Sequence, residues 1–341
     1  MKSIMKPGGL VILWTVLLLF GGEPLFAQGN HQVNPPGLVQ SQDTTAQETY
    51  VSEVIVQAPY AKKNLVYGKE ESPPGEFGYY VSEEESPAVG PSTFAVAANG
   101  DIYIADPLNN RMQRFNSQGA FVSTIPMPRT IADICVDRNN NIYLLGGGGA
   151  SGGCVLKYDQ KGNLLKTYPL ISGFSRTGNF IYCDESGRLF YAYPWGEEEG
   201  GFYQVGTSDV VFSLAQQKNS IRKGLLGFNS VALDKNQFFT GYGSLRLMSF
   251  NGDTLKVLRS IRGEVFGCDQ DLNIYAGSYS GLRKYSKSGV LIMGCKCGCE
   301  RPYIEVEGRA RSRTLDEKGN LYILCENEEE GLRVIKCHKQ L

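Results

Sequence analysis

One phrase recurs six times along this chain: an apolar strand, a turn opened by Asp and closed by Gly or Asn, then a second strand carrying Tyr or Phe. It reads AVAANGDIYI from Ala95, CVDRNNNIYL from Cys135, YCDESGRLFY from Tyr182, ALDKNQFFTG from Ala232, GCDQDLNIYA from Gly267 and TLDEKGNLYI from Thr314. The aligned positions, Ala97, Asp137, Asp184, Asp234, Asp269 and Asp316, stand 40, 47, 50, 35 and 47 residues apart. Paired strands at a period of 40 to 50 residues are the mark of β-propeller blades.

The phrase has a local cause. Two strands form a hairpin whose Gly or Asn takes the positive-φ position, and the Asp accepts hydrogen bonds from the amides of its own turn. These aspartates are therefore read as turn formers. A third strand follows each hairpin, as in RMQRFNSQG from Arg111, VLKYDQKG from Val155, RLMSFNGD from Arg246 and LRKYSKSG from Leu282. A fourth follows in AFVSTI from Ala120 and TLKVLRSI from Thr254. The expected fold is all-β: a six-bladed β-propeller of four-stranded antiparallel blades. The last repeat ends in LRVIKCHK from Leu332, with too little chain left for a fourth strand. An N-terminal strand is expected to complete that blade, and residues 64–69 (NLVYGK) are the segment assigned to it. Closure matters because an open ring would expose two apolar faces and an unpaired edge.

The first 60 residues have a different character. Lys2 and Lys6 precede the apolar run LVILWTVLLLF from Leu10, and Gly21, Gly22 and Pro24 break it before Ala27. That order describes a secretory signal peptide over residues 1–27, too short to span a bilayer comfortably. Residues 28–60 are polar and rich in Gln, with Pro35 and Pro36 adjacent, and read as a linker. Within it, YVSEVIV from Tyr50 alternates as an accessory strand would. The propeller is assigned to residues 61–341. An exported protein, periplasmic or extracellular, is expected, with no stable membrane anchor after cleavage.

Composition excludes some chemistry. With 34 Lys and Arg against 35 Asp and Glu, the net charge of −1 gives no global positive field for nucleic acid. His31 and His338 are the only histidines, which rules out a three-histidine zinc site within one chain.

The stretch DPLNNRMQRFNSQG from Asp106, following DIYIAD, resembles the NHL repeat: a strand, an Asp, a short loop with Asn and Arg, then an apolar-aromatic strand. The other repeats lack the Asn-Arg pair. The resemblance extends as architecture over about residues 64–341. It implies a six-bladed propeller used mostly as a binding surface, with a minority of metal-dependent enzymes, and it identifies no ligand.

Two places are candidates for a site. On the rim shared by the second-to-third loops and the loops entering each first strand lie three acidic clusters, at residues 83–85, 197–199 (with Glu197) and 326–330 (with Glu328). Trp195 and Tyr193 stand beside the second, and Arg129, Arg176, Arg309, Arg311 and Arg313 share the face. Arg129, Trp195, Glu197, Arg311, Arg313 and Glu328 are the candidate ligand contacts, although ordinary solvated loops would look the same. Nearer the axis, the residues opening the innermost strands are Ser92, Ala132 with Asp133, Asn179, Asn229, Glu264 and Arg311. Asp133, Asn179, Asn229 and Glu264 offer hard oxygen ligands for one Ca²⁺. This looks like the axial calcium of six-bladed lactonases and related hydrolases. A wet, polar channel mouth explains the same residues. Arg313 occupies a position that is apolar in the other five repeats, so it either lines the channel or pairs with a carboxylate.

Of nine cysteines, Cys183 and Cys268 replace Val or Leu of other repeats and read as small buried residues. Cys295, Cys297 and Cys299 form a cluster that suits disulfides with Cys325 or Cys337, or else a thiolate metal site. The leading expectation is a non-catalytic module binding a protein, peptide or glycan, with no cofactor and no nucleic acid. The alternatives are a calcium-dependent lactonase- or esterase-like hydrolase at the channel mouth and a thiol- or metal-handling protein.

Overall fold

The second strand of the first repeat, Ile102–Asp106, is buried at every residue, whereas the fourth, Phe121–Pro126, is largely exposed. A strand sandwiched on both faces and an outer strand facing solvent are what stacked blades require. The computed structural model describes residues 50–62, 72–79, 90–128, 131–149, 152–170, 180–183, 187–193, 201–206, 210–213, 231–232, 237–240, 245–249, 254–258, 261, 264–269, 271, 273–278, 281–295, 313–316, 318–327 and 331–339.

The described strands make six four-stranded antiparallel sheets, the blades of an all-β propeller. In chain order, the first holds Phe94–Val96, Ile102–Asp106, Arg111–Phe115 and Phe121–Pro126. The second holds Ile131–Val136, Ile142–Gly149, Gly152–Tyr158 and Leu164–Pro169. The third holds Phe180–Cys183, Leu189–Tyr193, Gly201–Gln204 and Val210–Ser213. The fourth holds Val231–Ala232, Gln237–Thr240, Leu245–Ser249 and Thr254–Leu258. The fifth holds Glu264–Cys268, Ile274–Ser278, Gly281–Tyr285 and Leu291–Cys295. The sixth holds Arg313–Leu315, Leu321–Asn327 and Gly331–Lys339, finished by Tyr50–Ala58.

The strand that finishes the sixth sheet is not the one assigned from sequence. Tyr50–Ala58 runs antiparallel to Gly331–Lys339, from Tyr50 opposite Lys339 to Ala58 opposite Leu332. Residues 64–69 lie outside the described residues. The accessory strand is thus the closing strand, and it begins inside the stretch read as linker. Its bulge between Val54 and Val56 turns the alternation so that Val56 and Ala58 are both buried. On its solvent face, Glu53 lies 3.8 Å from Lys336 Nζ and 3.5 Å from His338 Nε2.

The sixth sheet packs on the first. One apolar cluster joins Val56, Ala58, Tyr322, Leu324, Leu332 and Val334 to Phe77, Phe94, Ile102, Ile104 and Phe115. The innermost strand of the sixth sheet also lies against that of the first. Gly119, in the last hairpin of the first sheet at φ +79°, touches the bulge itself, because a Cβ there would fall on the carbonyl oxygen of Ile55. Between the closing strand and the first sheet, Tyr60–Lys62 and Phe77–Tyr79 form a short parallel pair, with the Tyr60 and Tyr79 rings stacked at 4.5 Å.

The repeated turns bear out their reading. Asp137 Oδ1 accepts from the amides of Asn139 and Asn141, both at 2.9 Å, and Oδ2 accepts from Asn141 Nδ2 at 2.8 Å and the Tyr143 hydroxyl at 3.0 Å. Asp269 does the same with Asp271, Asn273 and Tyr275, and Asp316 with Lys318, Asn320 and Tyr322. The first repeat has Ala97 where the others have Asp. The buried Tyr103 hydroxyl there finds no hydrogen-bond partner among the described residues.

Candidate functional site

The innermost strand of the second sheet carries Asp133 between the first and third sheets. It lies within Ile131–Val136 and is fully buried. Its Oδ1 accepts the Thr93 hydroxyl at 3.0 Å, from just ahead of the innermost strand of the first sheet. Its Oδ2 accepts the Ile181 amide at 3.0 Å, from the innermost strand of the third. One carboxylate therefore braces three successive sheets. Next to Thr93, the Ser92 hydroxyl is buried with no hydrogen-bond partner among the described residues. A buried hydroxyl left open in this way is what a bound water or ligand would satisfy.

The other proposed calcium ligands are distributed unevenly. Glu264 opens the innermost strand of the fifth sheet, Glu264–Cys268, while Asn179 and Asn229 lie outside the described residues. Among the described residues, no three His, Cys, Asp or Glu side chains gather as a metal-holding group. Each oxygen of Asp133 accepts one protein donor. Of the rim contacts, Arg129, Trp195, Glu197, Arg311 and Glu328 lie outside the described residues. Arg313 is buried and opens the innermost strand of the sixth sheet.

A second polar cluster was legible only as a repeat motif. Asp106 is fully buried, with Oδ1 accepting the Gly78 amide at 3.2 Å and Oδ2 accepting Asn109 Nδ2 at 2.7 Å and Arg111 Nε at 3.0 Å. Arg111 Nη2 donates to the carbonyls of Pro73 at 3.0 Å and Glu76 at 2.8 Å. Gln113 takes the Gly75 amide at 2.7 Å and gives Nε2 to the Glu76 carbonyl at 2.7 Å, while Asn109 Oδ1 accepts the Ser72 amide at 3.1 Å. The Asp-Asn-Arg signature of the first repeat therefore clamps residues 72–78, the strap between the closing strand and the first sheet. Burial pushes the Asp106 carboxyl above the usual aspartate range, against the opposing pull of Asn109, Arg111 and Gly78. The sequence signal for this role was the alternation of Arg111 and Gln113 with apolar Met112 in a buried strand, which asks for polar partners.

The thiols are spread through the described sheets. Cys183 and Cys268 are half-buried rather than fully enclosed, and burial pushes the Cys268 thiol up. Cys337 is a buried thiol, whereas Cys325, equally buried, is disulfide-bonded. Cys297 and Cys299 lie outside the described residues.

No family model matches the chain. No curated protein matches it either. Among solved structures it is similar to a streptogramin B lyase, at 10% identity and a TM-score of 0.46, over 85% of this chain and 98% of the other. It is also similar to a gluconolactonase from Xanthomonas campestris, at 12% identity and a TM-score of 0.47, over 73% and 86%. A luciferin-regenerating enzyme gives 11% identity and a TM-score of 0.48, over 72% and 90%. The architecture described above rests on the strand pairing of this chain itself.

Proposed function

We propose that this chain is an exported, NHL-type six-bladed propeller, closed into a ring by its N-terminal strand, that binds a protein, peptide or glycan at the face where the innermost strands begin. The observation that carries this reading is the state of Asp133. This fully buried carboxylate holds three sheets together, with both oxygens engaged by Thr93 and Ile181. A group fixed in that way supports a rigid, shaped surface better than proton transfer at a reacting atom. Ser92 and Arg313 are further buried polar residues at or just ahead of the innermost strands of the first and sixth sheets. The acidic and aromatic rim loops read from the sequence would surround that face.

The second reading is a calcium-dependent hydrolase at the same mouth. What carries it is Glu264 at the start of an innermost strand. One pair of measurements separates the two. Thermal melts of the purified protein are run with and without millimolar calcium, alongside an assay for hydrolysis of an aliphatic lactone. No calcium shift and no hydrolysis, with saturable retention of a peptide or glycan on an array, supports the binding module. A calcium-dependent rise in Tm that disappears in Glu264→Gln, accompanied by turnover, overturns it in favour of the hydrolase.

A further inference from the structure

Cys135 and Cys183 are 48 residues apart in sequence and belong to different sheets, yet their sulfurs lie 2.7 Å apart. Cys135 sits on the innermost strand of the second sheet and Cys183 ends that of the third. Both are thiols in the structure. From this geometry we infer that the pair is an oxidation site, forming a disulfide that staples the second blade to the third.

The distance needs to close by about 0.7 Å to reach a bonded pair, well within the adjustment of two side chains. Their surroundings favour the same outcome. Cys135 is 6% exposed and sits in one apolar cluster with Tyr143, Ile181, Leu189 and Tyr191, and Cys183 packs against that cluster. The backbone on both sides is already fixed: Asp133, two residues before Cys135, accepts the amide of Ile181, two residues before Cys183. The strands are thus held in register for the bond before it forms. No comparable approach joins Cys154 or Cys268 to another sulfur among the described residues.

The two thiols differ in access, which sets the order of events. Cys183 is partly exposed and Cys135 is buried, so an oxidant meets Cys183 first. With a small disulfide such as oxidised glutathione, the Cys183 thiolate attacks one sulfur, forms a mixed disulfide and releases one glutathione thiolate. The Cys135 thiolate then attacks the Cys183 sulfur, the protein disulfide forms, and the second glutathione leaves. Each departing thiolate takes up a proton, so two thiols lose two electrons and one glutathione disulfide is reduced. An oxidising compartment, which the signal-like N-terminus implies, would hold the pair in this state.

The test is peptide mapping of the purified protein after incubation with oxidised or reduced glutathione and alkylation of remaining thiols. The expected result is a cross-linked peptide pair containing Cys135 and Cys183, lighter than its two reduced halves by two hydrogens and absent after reduction. The oxidised form should melt about 5–10 °C above the reduced form, because a closed loop of this length restricts the unfolded chain. That difference should shrink in Cys135→Ser and in Cys183→Ser to the part owed to the Cys325 disulfide, and stay whole in Cys154→Ser. Recovery of both cysteines singly alkylated after oxidation, or a glutathione adduct on Cys183 that Cys135 never resolves, would overturn the assignment. Peptide mapping of the wild-type chain decides the matter even if a serine variant does not fold.

Discussion

Asp106 and Asp269 are carboxylates of the first and fifth repeats of one architecture, and the fold holds them in opposite ways. Asp269 draws its partners from its own turn, plus Lys284 at 3.2 Å on an adjacent strand. Burial would raise its carboxyl, but the hydrogen bonds of Asn273 and the Lys284 charge outweigh that and hold it below the usual range. Asp106 is fully buried and reaches to a strap 28 residues away, and burial wins over its Arg111 partner. Asp133 belongs with Asp106, since its partners are 40 and 48 residues distant. A turn aspartate is satisfied wherever its hairpin forms. A remote brace is satisfied only when the ring is assembled, so its loss should be felt across the whole molecule.

The largest effect is expected at Asp106. Replacement by Ala leaves Arg111 buried without its carboxylate and should cost about 3–5 kcal/mol in denaturant unfolding. Asp269→Ala, whose turn amides can turn to water, should cost only about 1 kcal/mol. Equal costs would dissolve the distinction between braces and turns.

Next comes Asp133→Ala, which strands the Thr93 hydroxyl and the Ile181 amide and should cost about 2–3 kcal/mol. If Asp133 were held in place for chemistry rather than bracing, the same variant would lose activity with little change in the unfolding midpoint.

Titration sharpens the contrast in sign. For Asp106, with its carboxyl raised, the folded protein keeps a proton that the unfolded chain has already released. Its contribution is therefore fully present below the ordinary aspartate value and falls as pH rises through the folded-state value. Asp269, held low, contributes above the ordinary value and loses that contribution as pH falls through its folded-state value. Urea unfolding between about pH 3 and 7 should show the wild type losing ground to Asp106→Asn as pH rises. Over the same range it should gain ground on Asp269→Asn. Parallel profiles for the two variants would contradict the assignment.

The smallest effect compares two tyrosines. Tyr143 donates to Asp137 at 3.0 Å, whereas the Tyr103 hydroxyl has no partner among the described residues because Ala97 stands in the Asp position. Tyr143→Phe should cost about 1 kcal/mol and Tyr103→Phe close to nothing. A larger loss at Tyr103 would mean that its hydroxyl is satisfied by a bound water.

Much of this was legible in the sequence because it is local. The period, the hairpins and the turn aspartates follow from hydrogen bonds spanning two to six residues, and such patterns repeat visibly. Residues 64–69 suggest themselves as the closing strand because they precede the first blade with no blade of their own, whereas the alternation of YVSEVIV marks a strand without naming its partner, Gly331–Lys339, which stands about 280 residues on. Asp133 is visible in the sequence as an oxygen-bearing residue opening an innermost strand, but its partners, Thr93 and Ile181, are not. The clamp on residues 72–78 was hidden for the same reason: Asp106 and Arg111 announced a motif, but the backbone atoms they hold carry no sequence signature.

The ring depends on Tyr50–Ala58 completing the sixth sheet, and hydrogen–deuterium exchange of the native protein measures that most directly. The amides of this strand that face Gly331–Lys339 should exchange only on global unfolding, at the protection shown by Leu321–Asn327. Exchange at the rate of an open linker, with Gly331–Lys339 deprotected alongside, would show that the sheet ends at its third strand and that the ring is closed by something else.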